Sequence, residues 1–158
     1  MGTKLEAFIF DIDGTLSDNT GRLHHVVQSD EDHLLGIPFK KDWDAFNSDC
    51  TQDKVYPDVL NILRSLEQEY QIILLTGRDN KYRSKTVAWL EKHGVQYDHL
   101  FMRWSGDKSA DYFVKQEIYE KYIKKDFDVK GIFEDRERVV KMWRELGLTC
   151  FQVKEGDY

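Results

Sequence analysis

The chain is predicted to fold as an α/β domain, a doubly wound parallel sheet of about five strands with a small insertion after the first strand. Three observations lead there. Short apolar runs alternate with amphipathic helical stretches. Polar residues cluster directly after those runs, where the carboxyl ends of parallel strands present ligand-binding groups. One polar segment, residues 17–56, breaks the alternation.

Leu5–Phe10 (LEAFIF) reads as a buried strand that stops at Asp11. Residues 57–70 open with Pro57 at a helix start and carry Val59, Leu60, Leu63 and Leu66 at helical spacing. Residues 71–75 (QIILL) form the next strand, followed by Thr76-Gly77-Arg78. Residues 80–93 read as a helix with Gly94 as its stop, and 97–102 as a short strand. A helix is expected over 110–125, with Phe113, Ile118 and Tyr122 turned inward. The strand 129–133 runs into Glu134-Asp135, the helix 136–146 stops at Gly147, and 148–153 closes the pattern. Strands alternating with helices imply right-handed crossovers. Within 17–56 one helix is expected, around 41–50, and the segment is read as a small cap over the strand ends.

A chain of 158 residues suits one domain spanning 1–158, and a chain of that size buries roughly 68–70% of its unfolded surface. With 17 Phe and Tyr and 4 Trp against only 2 Pro, disorder and collagen-like architecture are excluded. A net charge of −6 excludes a wholesale basic coat for duplex DNA but not a local phosphate-binding cleft. The apolar stretch before Asp11 is too short for a signal peptide or membrane span. Glu6 occupies the position where a myristoylation motif needs Ser or Thr. Cys50 and Cys150 are expected as free thiols. The expectation is a soluble, cytoplasmic domain with no membrane and no obligate protein partner.

Distant polar groups should converge on one crevice. In FDIDGT, Asp11 and Asp13 fall on the same side of an extended chain. Two such carboxylates suit a division of labour, one ionised as nucleophile and one protonated as general acid. Gly14 lets the chain turn, and successive amides there can bind an anion. With Glu134 and Asp135 added, four acids meet and need a cation, and oxygen-only ligation points to Mg²⁺. The competing reading makes Asp11 and Asp13 ordinary loop and helix-capping residues. Further acid and hydroxyl sites at other strand ends weigh against it.

These residues carry a family resemblance. Asp11-Ile12-Asp13-Gly14-Thr15 resembles the first motif of the haloacid dehalogenase superfamily of aspartyl-phosphate hydrolases. Thr76-Gly77-Arg78 resembles the second, Lys115 the third, and Glu134-Asp135-Arg136 the fourth. Within that superfamily the chain is similar to phage-type polynucleotide 3′-phosphatase domains, most of all from Asp111 onward. No GxxxxGK[ST] kinase loop occurs in the sequence.

The resemblance implies a Rossmann-like core, Asp11 as nucleophile and Asp13 as general acid–base. It implies that Thr76 hydrogen-bonds the phosphoryl group and that Lys115 neutralises charge on Asp11 and the phosphate. Mg²⁺ would be held by Asp11, Glu134, Asp135 and the backbone carbonyl of Asp13. Arg22, Gly77, Arg78 and Asp111 would bind substrate, a nucleic-acid 3′-phosphate end or a nucleotide. Glu134 departs from the Asp of the closer relatives, and the segment 24–50 follows them poorly.

From the residues alone, Arg22 equally fits a solvated cap position, and Asp111 a first-turn acid favoured by a helix dipole. The five histidines lack zinc-ligand spacing. Trp89, Trp143 and Phe151 fit packing positions, whereas Trp43 and Trp104 lie in irregular segments and either pack or stack on a base. The basic run 78–85 fits a solvated helix face or a guide for a nucleic-acid end. Three alternative functions remain beside the 3′-phosphatase: a 5′(3′)-deoxyribonucleotidase, a receiver-like signalling domain and a silent end-binding module. The second has no use for Asp13, and the third should lack a member of the acid–lysine set.

Overall fold

A computed structural model describes residues 2–158. Seven strands and six α-helices follow in the order β1 (Leu5–Phe10), β2 (Ser17–Asp18), α1 (Asp30–Leu34), α2 (Trp43–Ser48), β3 (Lys54–Val55), α3 (Pro57–Leu66), β4 (Gln71–Asp79), α4 (Arg83–Lys92), β5 (His99–Arg103), α5 (Asp111–Ile118), β6 (Phe127–Arg136), α6 (Glu137–Glu145) and β7 (Cys150–Gly156). Five of the strands form one parallel sheet in the order β5-β4-β1-β6-β7.

Period-two alternation lets this sheet be covered on both faces. Ala7, Ile9, Ile73 and Leu75 pack toward α5 and α6 with Val114, Ile118, Val139 and Trp143. Their neighbours Phe10, Ile72 and Leu74 pack on the other face with Val59, Leu63, Trp89 and Leu90 of α3 and α4. Central β1 is flanked by β4 and β6, so the chain leaves the sheet in opposite directions around it. The Asp11 N–H donates to the Phe133 carbonyl at 3.0 Å, holding the end of β1 against β6. That switch point is where open α/β sheets bind ligands.

Several boundaries differ from expectation. β4 continues through Thr76–Asp79 and β6 through Glu134–Arg136, so the polar groups lie on the strands' last residues rather than beyond them. The helix expected over 80–93 begins with a 3₁₀ turn, Asn80–Tyr82. The one expected over 110–125 ends as α-helix at Ile118 and continues as a π-turn, Tyr119–Ile123. The inward residues of α5 are Val114, Lys115 and Ile118, while Phe113 and Tyr122 are exposed. That correction has a physical cause, since Lys115 takes an inward position to reach acids at the strand ends. Phe151 is also half exposed, stacking on Phe133 at 5.0 Å.

Segment 17–56 carries the short helices α1 and α2 and returns through β3, which pairs antiparallel with β2. Its attachments to the α4 side are polar. Trp89 Nε1 donates to the Asp53 carbonyl at 2.9 Å, Lys85 donates to the Ser48 carbonyl at 2.9 Å, and Lys81 and Tyr82 bond Asp44. Of the basic run 78–85, Lys81 and Lys85 are thus engaged with this segment, while Arg83 bonds Asn80 and the Leu100 carbonyl. Among the described residues, no helix is long and apolar enough to cross a membrane.

Candidate active site

Two strand ends and one helix build the charged centre of the site. Asp11 follows β1, Glu134 and Asp135 close β6, and Lys115 rises from α5 one turn after Asp111. All four charged groups are almost fully buried. Lys115 Nζ lies 2.8 Å from Asp11 Oδ1 and 2.8 Å from Glu134 Oε2, with Asp111 Oδ2 at 3.9 Å. Asp11, Glu134 and Asp135 each offer a carboxylate oxygen within 4.8 Å of the others. The longer Glu134 thus reaches the cluster, with its second oxygen accepting from the Asp135 N–H at 3.1 Å.

Three carboxylates share a single ammonium, and the electrostatics show the deficit. Burial raises the Asp11 pKa well above its usual value, Glu134 and Asp111 add to this, and Lys115 opposes it. Glu134 is pushed up to about 7, mainly by burial, and Asp135 to about 7 by burial and the charge of Asp11. An oxygen-only, buried, under-neutralised cluster of this kind fits a hard divalent cation. Room for it depends on Gly14. Its φ of +78° favours glycine, and a side-chain carbon there would strike the Asp135 carboxylate.

Asp13 has a different environment. Its carboxylate is not in the acid cluster but sits in a fork of two guanidiniums. Arg78 donates through Nε to Oδ2 at 2.9 Å and through Nη2 to Oδ1 at 2.7 Å, while Arg22 Nη2 donates to Oδ1 at 2.5 Å. Burial opposes its charge, but Arg78 and then Arg22 outweigh burial and hold the carboxyl well below the usual range. Asp13 is thus favoured as the anion, while burial and neighbouring acids disfavour the charged form of Asp11. The cause is partner choice: Asp11 has two acids beside it, and Asp13 has two arginines.

Arg22 is not a solvated cap residue. It is 3% exposed, pairs with both oxygens of Asp53 at 2.8 and 2.6 Å, donates to the Phe46 carbonyl at 2.6 Å and lies 4.2 Å over the Phe46 ring. Asp53 carried no sequence signal, being a lone acid 31 residues away. Arg78 likewise spends its fork on Asp13, with Nη1 on Thr86 Oγ1 at 3.2 Å.

Thr76 is buried and its hydroxyl accepts from the Arg78 N–H at 3.2 Å. Gly77 leaves space that the Asp111 carboxylate fills, and its carbonyl accepts from Arg103 Nε at 2.8 Å. Asp111 is both the first residue of α5 and a cleft group. Its Oδ2 accepts from Arg136 Nη1 at 3.1 Å, and its buried Oδ1 has no hydrogen-bond partner among the described residues. Tyr158 was not foreseen. Its hydroxyl donates to Asp135 Oδ2 at 3.1 Å and accepts from Asn19 Nδ2 at 2.9 Å. These groups border a cleft of about 1180 Å³ that also takes in Asp42, Trp43 and Phe46 of the insertion. None of the five histidines belongs to the metal-competent cluster found among the described residues.

Solved structures share this architecture. A haloacid dehalogenase-like hydrolase from Streptococcus pneumoniae superposes with a TM-score of 0.63 at 15% identity, covering 94% of this chain and 84% of that one. A class C acid phosphatase from Bacillus anthracis gives 0.60 at 16% identity over 85% of this chain and 54% of that one. These neighbours show the fold, that of haloacid dehalogenase-like proteins.

More similar still is a chain of the Pnkp1/Rnl/Hen1 complex, with a TM-score of 0.82 and 34% identity over 100% of this chain and 49% of that one. A protein of Autographa californica nuclear polyhedrosis virus, described as a bifunctional polynucleotide kinase/RNA ligase, is 30% identical over 132 residues, 81% of this chain and 19% of that protein. The chain belongs to the family of the polynucleotide kinase PNKP phosphatase domain, whose model matches residues 38–158. It spans about half the length of the Pnkp1/Rnl/Hen1 chain and a fifth of the viral protein. The matched stretch begins after Asp11 and Asp13; the fold brings Asp11 to the acids and lysine inside it, and Asp13 to Arg78.

Proposed function

We propose that the chain is a Mg²⁺-dependent phosphomonoesterase that works through an aspartyl-phosphate and removes 3′-phosphates from nucleic-acid ends. The observation that carries this is the placement of Asp11 between Lys115 and two further buried acids, with Asp13 two residues on in an arginine fork.

In this reading Asp11 attacks phosphorus, the ester P–O bond breaks, and the leaving alkoxide takes a proton from Asp13. Asp13, now ionised, removes a proton from water, whose oxygen attacks phosphorus and releases Asp11 and inorganic phosphate. Asp11, Glu134, Asp135 and the Asp13 carbonyl would hold Mg²⁺, which when bound supplies charge neutralisation for the phosphoryl oxygens. Thr76 donates its hydroxyl to the phosphoryl group, and Lys115 neutralises Asp11 and the phosphate. Arg78 turns from Asp13 toward the anionic substrate, which frees Asp13 to carry its proton, while Gly77 and Asp111 bound the pocket and Arg22 keeps Asp13 in place. The family match and the RNA repair complex that contains one structural neighbour support a nucleic-acid end as substrate. The viral relative supports the host-cell cytoplasm as the place of action.

The test is phosphate release from 3′-phosphorylated oligonucleotides, 5′-phosphorylated oligonucleotides and mononucleotides, with and without Mg²⁺. The expected order puts the 3′-phosphorylated oligonucleotide first, and only with the metal. A higher kcat/KM for a 5′-mononucleotide at the same salt would replace this reading with that of a nucleotidase.

A further inference from the structure

We propose that Trp43 is a stacking platform for the base of the nucleotide that bears the scissile phosphate; this deepens the reading of the chain as an end phosphatase and rests on it. Trp43 opens α2, where Asp42 accepts from the Ala45 N–H at 2.9 Å and fixes the helix start. Its indole stands edge-on to Phe46, with centroids 5.5 Å apart at 82°. Phe46 is 2% exposed and lies beneath Arg22. The platform is thereby braced by the same arginine that holds Asp13.

The ring itself is 38% exposed and borders the cleft that contains Asp11 and Asp13. An indole left open in a polar cleft gives up part of the burial that makes tryptophan worth placing in a core. Two cations lie over the ring, Lys41 Nζ at 5.7 Å from its centroid and Cζ of Arg136, which also pairs with Asp111, at 5.6 Å. An aromatic face interleaved with cations is the arrangement that binds single-stranded ends, with the base on the ring and the backbone phosphates on the charges. Arg136, one of these cations, directly follows Asp135 of the acid cluster. At about 1180 Å³ the cleft is far larger than a phosphate group needs and somewhat exceeds the roughly 300–1,000 Å³ of pockets that take up whole organic ligands. Because every base has a π-face, the platform binds all four ends and responds to loss of the base rather than to its identity.

The experiment compares two 3′-phosphorylated oligodeoxynucleotides, one ending in a thymidine and one in a tetrahydrofuran abasic analogue. With the wild-type chain, kcat/KM for the base-bearing end should exceed that for the abasic end by about 5- to 150-fold, the span of stacking on a single base. In Trp43→Ala the ratio should fall to within about twofold of one, and Trp43→Phe should restore most of it. A role in packing alone lowers both rates together and leaves the ratio where it was, which overturns the proposal. Equal ratios in wild type and Trp43→Ala overturn it as well. A wild-type chain that acts on mononucleotides but on neither oligonucleotide overturns the end-phosphatase reading and the platform with it.

Discussion

Asp53→Ala should destabilise the chain by about 3 kcal/mol, because it strips a buried guanidinium of its main counter-charge. The Arg22 and Asp53 side chains are 4% and 3% exposed. Three hydrogen bonds converge on Asp53, two from Arg22 at 2.8 and 2.6 Å and one from Ser17 Oγ at 2.9 Å. Breaking a buried pair by removing one partner costs about 3–5 kcal/mol. The lower end applies, since Asp13 and the Phe46 carbonyl still hold the guanidinium. For a domain of this length that corresponds to a fall of roughly 6–12 °C in Tm. Urea unfolding followed by tryptophan fluorescence measures it directly, since Trp89 Nε1 is bonded to the Asp53 carbonyl. In a cycle with Arg22→Met and Asp53→Leu, the double variant should recover about 2 kcal/mol of the summed losses. A loss below about 1 kcal/mol for Asp53→Ala, or a cycle with no coupling, would refute the view that this pair anchors the insertion.

Asp11→Asn should keep the fold and leave phosphate release below about one thousandth of wild type, because an amide cannot serve as the nucleophile; turnover within about tenfold, after deamidation is excluded by mass spectrometry, would sink the covalent route. EDTA should remove activity and millimolar Mg²⁺ restore it, with Zn²⁺ a poor substitute for lack of sulfur or imidazole ligands; full activity after rigorous metal stripping contradicts the site. The pH dependence follows from the same cluster. Glu134 and Asp135 are lifted to about 7 in the folded chain, above their unfolded values of about 4, so the folded state binds more protons in that window and these groups take stability away as pH rises through it. A cation bound to the ionised acids offsets that loss, so the Tm gained on adding Mg²⁺ should be larger near pH ~8 than near pH ~5.5 in a thermal melt; an equal gain at both would contradict the assignment.

What the sequence made legible is what depends on neighbours along the chain. Leu5–Phe10 appears as the strand it was read to be, and the helix–strand alternation led to the five-stranded sheet, because burial on two faces writes itself into local hydrophobicity. The acids and Lys115 were legible through motif resemblance, although spacing alone would have left Lys115 on the surface of α5. Residues set by distant charge partners left no local trace. Nothing in the surroundings of Asp53 announces a partner 31 residues away, and Tyr158 reaches Asp135 across 23 residues. Local sequence around Arg22 and Arg78 did not announce that both guanidiniums share one anion, Asp13. The π-turn at Tyr119–Ile123 also had no signature, since its residues continue the helical pattern unchanged.

The small β2–β3 ladder has a consequence for how this architecture can diversify. Ser17 pairs with Val55, Asp18 with Lys54, and the Tyr56 N–H donates to the Leu16 carbonyl at 2.8 Å. The excursion therefore leaves and re-enters the core through one stitched mouth. A loop closed in this way can double in length for only about 0.6 kcal/mol of added closure entropy, and no change inside it alters the register of β1 with β4 or β6. Lineages can then rewrite residues between the stitches, where Trp43 sits, and hand the same reacting groups a new clientele of substrates. The arginine–aspartate pair limits that freedom: Arg22 and Asp53 both lie inside the excursion, and Arg22 holds Asp13, which lies outside it.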